Sequence, residues 1–414
     1  MRFFAELGAA VDEAWKRFDY DDAAFPRIAM EALEKRRPSD HLGLMDVVEW
    51  VQSTSDLVRW KEFESSFGQP AVRVYTNLHF IIEVLFWMDS TTAIHQHSFG
   101  GAFHVMEGSS IHGRFTFDQT HRYNVNLLLG ELALRDLEIL DRGAIRPIDA
   151  GRALIHSLFH LDRPSVSVVV RTRGEAHNMP QYSYSRAGIA FQPDYENEAL
   201  YLRTETLGLL WKMKHPRFLE TAARAAREAD AFTAFRIIRS VADRMDTTEE
   251  VAAYLDAVAP AHPELLPRMR ALDFSTRREW NIVKRRRLIH DKEHRFFLAI
   301  LMNVASRKDF LALVQKAFPE GSPVERVVRW IDVLSKTPMR DRATGEMTNV
   351  VGLNLNEEAL VVFRHLLSGA TNEQVVARFR EQFGDPDVDA QREDVLSLCD
   401  QFRKSLLLGS ILST

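Results

Sequence analysis

The chain has 414 residues, 46% of them hydrophobic and 27% charged, and a formal net charge of −5. That length admits two to four domains of roughly 100–200 residues each, and the composition excludes a disordered, collagenous or coiled-coil chain. A single cysteine, Cys399, excludes an internal disulfide framework and a cysteine-based zinc site. The mild acidity gives no support to bulk nucleic-acid binding.

No segment reaches the ~18–20 uninterrupted apolar residues of a membrane helix. The first twenty or so residues are amphipathic and acidic, unlike a secretory signal or transit peptide. The expectation is a cytoplasmic protein with neither membrane nor nucleic acid as partner.

In chain order, residues 1–68 predict a helical cap, with Leu7, Val11 and Trp15 at helical spacing. Residues 69–202 change texture. AVRVY, FIIEVLFW, GAFHVME, IHGRFTF, ALIHSLFH, PSVSVVVRT and AGIAF are short β-branched and aromatic runs separated by turn residues, the pattern of a sandwich or small barrel. RYNVNLLLGELALRDLEIL reads as further strands, with GE and DRG as turns. Residues 203–342 return to 3.6-period apolar stripes, with helix starts at DKEH and GSPVE. Within them, the basic run Lys284–Arg287 reads as a solvated helix face. SKTPMRDRATGEMTN (335–349) reads as a linker, and residues 343–414 as a small module of their own. There a strand-like VGLNL precedes helices, Thr371 and Gln374 have capping-box spacing, and Cys399 reads as a buried small apolar residue.

The uneven residue is histidine. Of fifteen, nine (79, 95, 97, 104, 112, 121, 156, 160 and 177) lie in the β-rich region. His95 and His97 are two apart, and on a strand residues i and i+2 share a face, so two imidazoles stand side by side as a chelating pair. A Gly-Gly step, an apolar strand, the turn Met106-Glu107-Gly108 and another strand follow, in the order of a hairpin folding over a metal pocket.

This string resembles the first motif of the cupin superfamily, in which HxH opens one strand and a Glu-Gly turn closes the next. The usual glutamate ligand is absent: Gly100 and Gly101 occupy its place. That departure resembles the three-histidine thiol (cysteine) dioxygenase-like branch, as does the preceding HFIIEVLFWMDSTTAI. The resemblance implies an α+β chain with a central cupin β-barrel (a double-stranded β-helix), N-terminal helices and a large C-terminal helical region. It implies that His95, His97 and a third histidine hold Fe(II), with Ni, Mn or Zn as other candidates, and that O2 is a co-substrate. The third histidine comes from GRALIHSLFHLDRPSVSVVVRT; His156 is favoured and His160 kept as a substitute or supporting residue. Neutral imidazoles suit divalent first-row metals, and three of them leave about three positions open on an octahedral ion.

Arg171 shares one face of the following strand with Ser167 and Val169. It reads either as a forked cation for an anionic substrate group or as half of a structural ion pair. Tyr184 is a further catalytic candidate, with Arg73, Tyr75 and Tyr182 as other pocket candidates. His104, His112 and His121 read as strand or loop surface, and the strand phase of His79 stays open. No Walker loop, GxGxxG motif or Ser-His-Asp grouping is present.

The C-terminal module resembles the PqqD-like family of leader-peptide-binding modules. The residues concerned are Asn354, Asn356 and Glu357, Leu367-Ser368-Gly369, Phe383-Gly384 and a late Leu-Gly. That resemblance implies an extended peptide partner bound at a strand edge; a plain helical cap is the other reading. The functional expectation is a mononuclear non-heme iron(II) dioxygenase for a small anionic or thiol-containing substrate, including a cysteine-type residue of a leader-bearing peptide. The alternatives are a non-enzymatic metal- or metabolite-binding cupin with helical partner-binding domains, and a metal-dependent isomerase or lyase. A homodimer is compatible with each.

Overall fold

A computed structural model describes residues 1–55, 68–88, 91–173, 180–245, 247–304, 306–340, 345–384 and 388–412. The chain forms two compact units, Met1–Arg277 and Arg278–Thr414.

In the first unit, α1 (Arg2–Lys16), α2 (Phe25–Lys35), α3 (Pro38–His41) and α4 (Leu44–Ser53) precede eleven strands. These are β1 (Ala71–Thr76), β2 (Phe80–Trp87), β3 (Ile94–His95), β4 (Gly101–Glu107), β5 (Ser110–Asn124), β6 (Leu127–Leu140), β7 (Ile145–Ile148), β8 (Ile155–His160), β9 (Ser165–Thr172), β10 (Ser183–Tyr184) and β11 (Ile189–Phe191). One antiparallel sheet has the order β1-β2-β9-β4-β7, and the other strands close in the order β10-β11-β6-β5-β8-β3. This is a cupin-type double-stranded β-helix within an α+β chain.

Strand alternation decides what each face of the five-stranded sheet carries. Phe80, Ile82, Val84 and Phe86 of β2 and Val166, Val168 and Val170 of β9 share one apolar cluster with Phe4, Leu7, Val11 and Trp15 of α1 and Ile28 and Leu33 of α2. The intervening residues, Glu83, Leu85 and Trp87 of β2 and Ser167, Val169 and Arg171 of β9, line a cavity on the other face. Covered on both sides, β2 is buried along its whole length, which is why FIIEVLFW is apolar on both faces except at Glu83.

The helices α5 (Glu198–Lys212), α6 (Phe218–Glu228), α7 (Ala231–Ala242) and α8 (Thr248–Val258), with the start of α9 (Leu265–Arg286), complete this unit. Phe232, Phe235 and Ile238 of α7 and Leu255 of α8 pack with Leu127 and Leu129 of β6 and Ile189 and Phe191 of β11. Asn197, Asp230 and Thr247 cap α5, α7 and α8 by accepting from backbone N–H groups of the first turn.

The second unit contains α10 (Lys292–Asn303), α11 (Arg307–Ala317), α12 (Pro323–Ser335), the strands β12 (Pro338–Arg340) and β13 (Met347–Asn349), and α13 (Glu357–Leu367), α14 (Asn372–Phe383), α15 (Val388–Lys404) and α16 (Gly409–Leu412). Asp291 and Ser322 cap α10 and α12 where DKEH and GSPVE predict helix starts. Thr371 and Gln374 form the expected capping box of α14, and Cys399 is buried.

Several expectations need correction. The segment read as a linker carries the antiparallel pair β12–β13, with residues 341–344 outside those described. The strand-like VGLNL (351–355) is not a strand: residues 350–353 form bends and 354–355 have no regular structure. Gly130-Glu131 lies inside β6, and the chain reverses instead at Val125-Asn126. Of the basic run, Arg285 and Arg286 are buried; Arg285 donates from Nε to the Val350 carbonyl and from Nη1 to the Asn281 carbonyl. His104 and His112 are buried, not on the surface: His104 lies against α3, and His112 lies between the sheets against Phe103 and His156. His121 is exposed, as is His79, which stacks on Tyr20. His177 lies outside the described residues.

On the helix-covered face of β4, His104 Nε2 accepts the Ser39 N–H at the start of α3 (3.1 Å). Burial, helped by the Arg37 charge, pulls its pKa down to about 4. The unfolded ring titrates near 6.5. Between these values the unfolded chain binds the extra proton, so stability falls as pH falls from about 6.5 to about 4 and is unaffected by this group above 6.5. Replacing His104 with Gln, which can still accept from Ser39, removes up to about 1.4 kcal/mol per pH unit of that slope. Urea midpoints of both proteins from pH 4.5 to 7.5 check this; parallel pH profiles would contradict it.

Candidate metal centre

One register brings the histidines together. His95 on β3 stands directly opposite His156 on β8, and His97 follows just past the end of β3. One ring nitrogen from each of the three lies within 4.8 Å of the others, and all three residues are buried. His97 Nε2 and His156 Nε2 are 2.9 Å apart. Two nitrogens bound at ~2.1 Å and at right angles to one ion are about 3 Å apart, so this pair has the spacing of adjacent ligands.

The protonation pattern also suits a metal. Burial pulls the His95 pKa down to about 4 and holds those of His97 and His156 well below the ordinary imidazole value. All three are neutral near pH 7, the form that ligates. His95 Nδ1 is 2.8 Å from the Ala93 carbonyl, which can only accept, so Nδ1 carries the proton and Nε2 the lone pair. His156 Nδ1 is 2.9 Å from His112 Nε2, and His112 Nδ1 is 3.0 Å from Glu138 Oε1. The hydrogen bond to His112, joined by the Arg146 fork, pulls the Glu138 carboxyl down to about 2.

Gly101 explains the missing carboxylate. A Cβ there would lie 2.1 Å from the Val170 carbonyl oxygen and 2.9 Å from Arg171 Cα, both backbone atoms. At Gly100 a Cβ would meet Pro26 Cγ at 3.3 Å. The close pairing of β4 with β9 therefore leaves no room for a carboxylate side chain at the position the usual cupin pattern gives it.

The histidines form one side of a cavity of about 230 Å³. Leu85, Trp87, Phe99, Phe103 and Val169 make its walls apolar, with Thr92, Ser98 and Ser167 as neutral polar groups. Glu83 and Arg171 also line it, paired at 2.9 Å. Arg73 pairs with the other oxygen of Glu83 (3.3 Å), so this trio carries one net positive charge. The Arg171 guanidinium lies 4.7 Å over the Phe99 ring.

The remaining sequence candidates sit elsewhere. His160 stacks on Trp87 at 4.7 Å, and its Nδ1 is 2.8 Å from Ser110 Oγ, further along β8 from His156. Tyr184 is buried, with its hydroxyl donating to Gln96 Oε1 (2.5 Å) and its ring against Phe117. Gln96 separates His95 from His97 in sequence, and Tyr184 is not among the residues that line the cavity. Tyr182 donates to the Val125 carbonyl, and Tyr75 packs over Gly8 of α1. The residues the sequence reading missed are His112, Glu138 and Arg146. Their signal was weak: His112 and Glu138 face one another across β5–β6, 26 positions apart, past a register with three irregularities.

No protein-family model and no curated protein matches the chain. Solved structures of double-stranded β-helix proteins do. Hydroquinone 1,2-dioxygenase from Sphingomonas sp. TTNP3, with 4-hydroxybenzoate bound, is 15% identical; the match covers 27% of this chain and 69% of that one at a TM-score of 0.22. A cupin-2 domain protein from Shewanella frigidimarina is 12% identical over 33% of this chain and 97% of its own, at 0.20. A double-stranded β-helix protein from Klebsiella pneumoniae is 16% identical over 34% and 100%, also at 0.20. The barrel itself is established by the sheet order and registers.

Gly101→Ala tests the close β4–β9 approach. Forcing a methyl against backbone costs about 1–3 kcal/mol, read as a lower urea midpoint for the first unit. An unchanged midpoint would show that the strands separate freely enough to admit a side chain.

Proposed function

We propose that the chain is a mononuclear non-heme iron(II) oxygenase of the cupin type, acting on a small substrate with an apolar body and an anionic group. The observation that supports this reading is the convergence of three buried, neutral imidazoles on one side of an apolar cavity. His95, His97 and His156 would hold the metal. Ferrous iron there would supply redox chemistry toward dioxygen and Lewis acidity toward the substrate.

The chain's own residues do the rest. The apolar walls lower the local dielectric and so strengthen charge interactions at the site. Arg171, clamped by Glu83, offers an oriented guanidinium toward which an anionic group can be aligned, and Trp87 and Phe103 confine the apolar body. The cavity suits a small molecule or a single side chain. A thiol donor and a leader-bearing peptide recognised by residues 343–414 rest on the sequence resemblances alone. Tyr184, buried against Gln96, would act on the site through β3 rather than by touching substrate.

Two measurements check the proposal. Protein purified without chelator and loaded anaerobically with Fe(II) should retain about one iron per chain after desalting. His95→Ala and His156→Ala should lose it, while His160→Gln should keep it. Folded wild-type protein that retains no iron contradicts the proposal. Oxygen uptake should then depend on Fe(II) and on an added small thiol or carboxylic acid. Losing the charged hydrogen bond at Arg171, worth about 1.5–3 kcal/mol, should make Arg171→Gln raise KM for the anionic substrate roughly 10- to 100-fold with a smaller change in kcat. Equal KM values would make Arg171 purely a partner of Glu83.

A further inference from the structure

Behind the ligand set lies a chain of polar groups that an oxygenase reading does not by itself require. Arg146 on β7 grips the Glu138 carboxylate with both arms of its fork, from Nε to Oε1 at 3.0 Å and from Nη2 to Oε2 at 2.5 Å. Glu138 on β6 meets His112 Nδ1 at 3.0 Å, and His112 Nε2 meets His156 Nδ1 at 2.9 Å. His112 is fully buried at this point, with its ring edge-on to Phe103. The chain starts on the five-stranded sheet, crosses to the other, and ends at a candidate metal ligand.

The hydrogen-bond directions follow from the end of the chain. An ionised carboxylate only accepts, so the His112 proton sits on Nδ1 and its lone pair on Nε2. That lone pair needs a donor, which places the His156 proton on Nδ1. The His156 lone pair is then on Nε2, the nitrogen that faces His97 Nε2 at 2.9 Å. In the other neutral tautomer of His112, two acceptors would face each other at the carboxylate, and His156 would turn a proton, not a lone pair, toward the metal position.

We propose that Glu138 and His112 are positioning residues that lock His156 in its Nε2-ligating tautomer and orientation and raise its basicity as a ligand. His95 Nδ1 donates to a neutral backbone carbonyl, whereas His156 Nδ1 donates to a histidine that is itself backed by a carboxylate. Such outer partners raise ligand basicity and typically change metal affinity 10- to 100-fold. The proposal rests on the metal reading above, and its test separates the two.

Co(II) affinity is measured by competition with a chelator for wild type, His112→Phe, His112→Gln and Glu138→Gln, each first shown to be folded by circular dichroism. Wild type should bind one Co(II) per chain. His112→Phe, which removes the acceptor for His156, should weaken binding roughly 10- to 100-fold at unchanged stoichiometry. His112→Gln, whose carbonyl oxygen can take the place of Nε2, should return to within about threefold of wild type. Glu138→Gln, which removes only the charge, should fall between. Independently, nitrogen NMR of metal-free protein should find His156 protonated at Nδ1 in wild type and His112→Gln. Equal Co(II) affinity in wild type and His112→Phe, or His156 protonated at Nε2 in wild type, would overturn the relay while leaving the metal site standing. If His112→Phe does not fold, Glu138→Gln binding as tightly as wild type overturns it instead. Wild type that binds no Co(II) would overturn both readings.

Discussion

The site depends on one register, in which β3 pairs with β8 so that His95 faces His156. Shifted by one residue, every side chain of β3 would change face: Gln96 would turn toward the cavity and the histidines toward Tyr184 and Phe117. The register is supported on both sides. β3 is also paired with β10, and β8 is held along its length by β5, from Ser110 opposite His160 to Phe115 opposite Ile155. A two-residue strand can therefore present an imidazole pair with the fixity of a much longer one.

Burial then sets the chemistry. Three uncharged imidazoles in an apolar setting are each held far from protonation, which an isolated surface HxH pair would not achieve. Phe99 and Phe103 pack against these rings, and helices with no part in the site cover the sheet from behind. α1 and α2 bury the outer face of the five-stranded sheet, so β2, β9 and β4 form a rigid wall whose inner face carries Trp87, Arg171 and Phe103. The close approach of β4 to β9 at Gly101 is part of that wall, and it excludes the carboxylate that would otherwise compete as a ligand. Among the described residues that line the cavity, charge is carried by Glu83 and Arg171, with Arg73 paired to Glu83, and the Arg146–Glu138 pair lies behind His112.

Much of this is legible in the sequence where local pattern decides. The HxH pair, the Gly-Gly step and the polar–apolar alternation of SVSVVVRT point to one face of a strand without knowledge of its neighbours, and the helix caps at Asp291, Ser322 and Thr371 follow from local backbone chemistry. What is not legible depends on long-range register. His112 reads as surface because its strand has the mixed composition of a half-exposed one. Only the pairing with β6 and β8, displaced by irregularities near Phe115, His121 and Asn124, shows that it sits between Glu138 and His156. The ion pair of Arg171 with Glu83 joins residues 88 positions apart and was open for the same reason. Arg285 and Arg286 read as solvated because a charge run says nothing of which turn of a helix is covered.

The central claim is that His95, His97 and His156 form a single metal site, and anomalous diffraction from crystals soaked in Fe(II) or Co(II) tests it most directly. One strong peak should lie within bonding distance, about 2.0–2.3 Å, of a ring nitrogen of each of the three histidines, with His112 still bonded to His156 behind it. A peak held by other residues, or no peak between these rings in well-ordered crystals, would contradict the account.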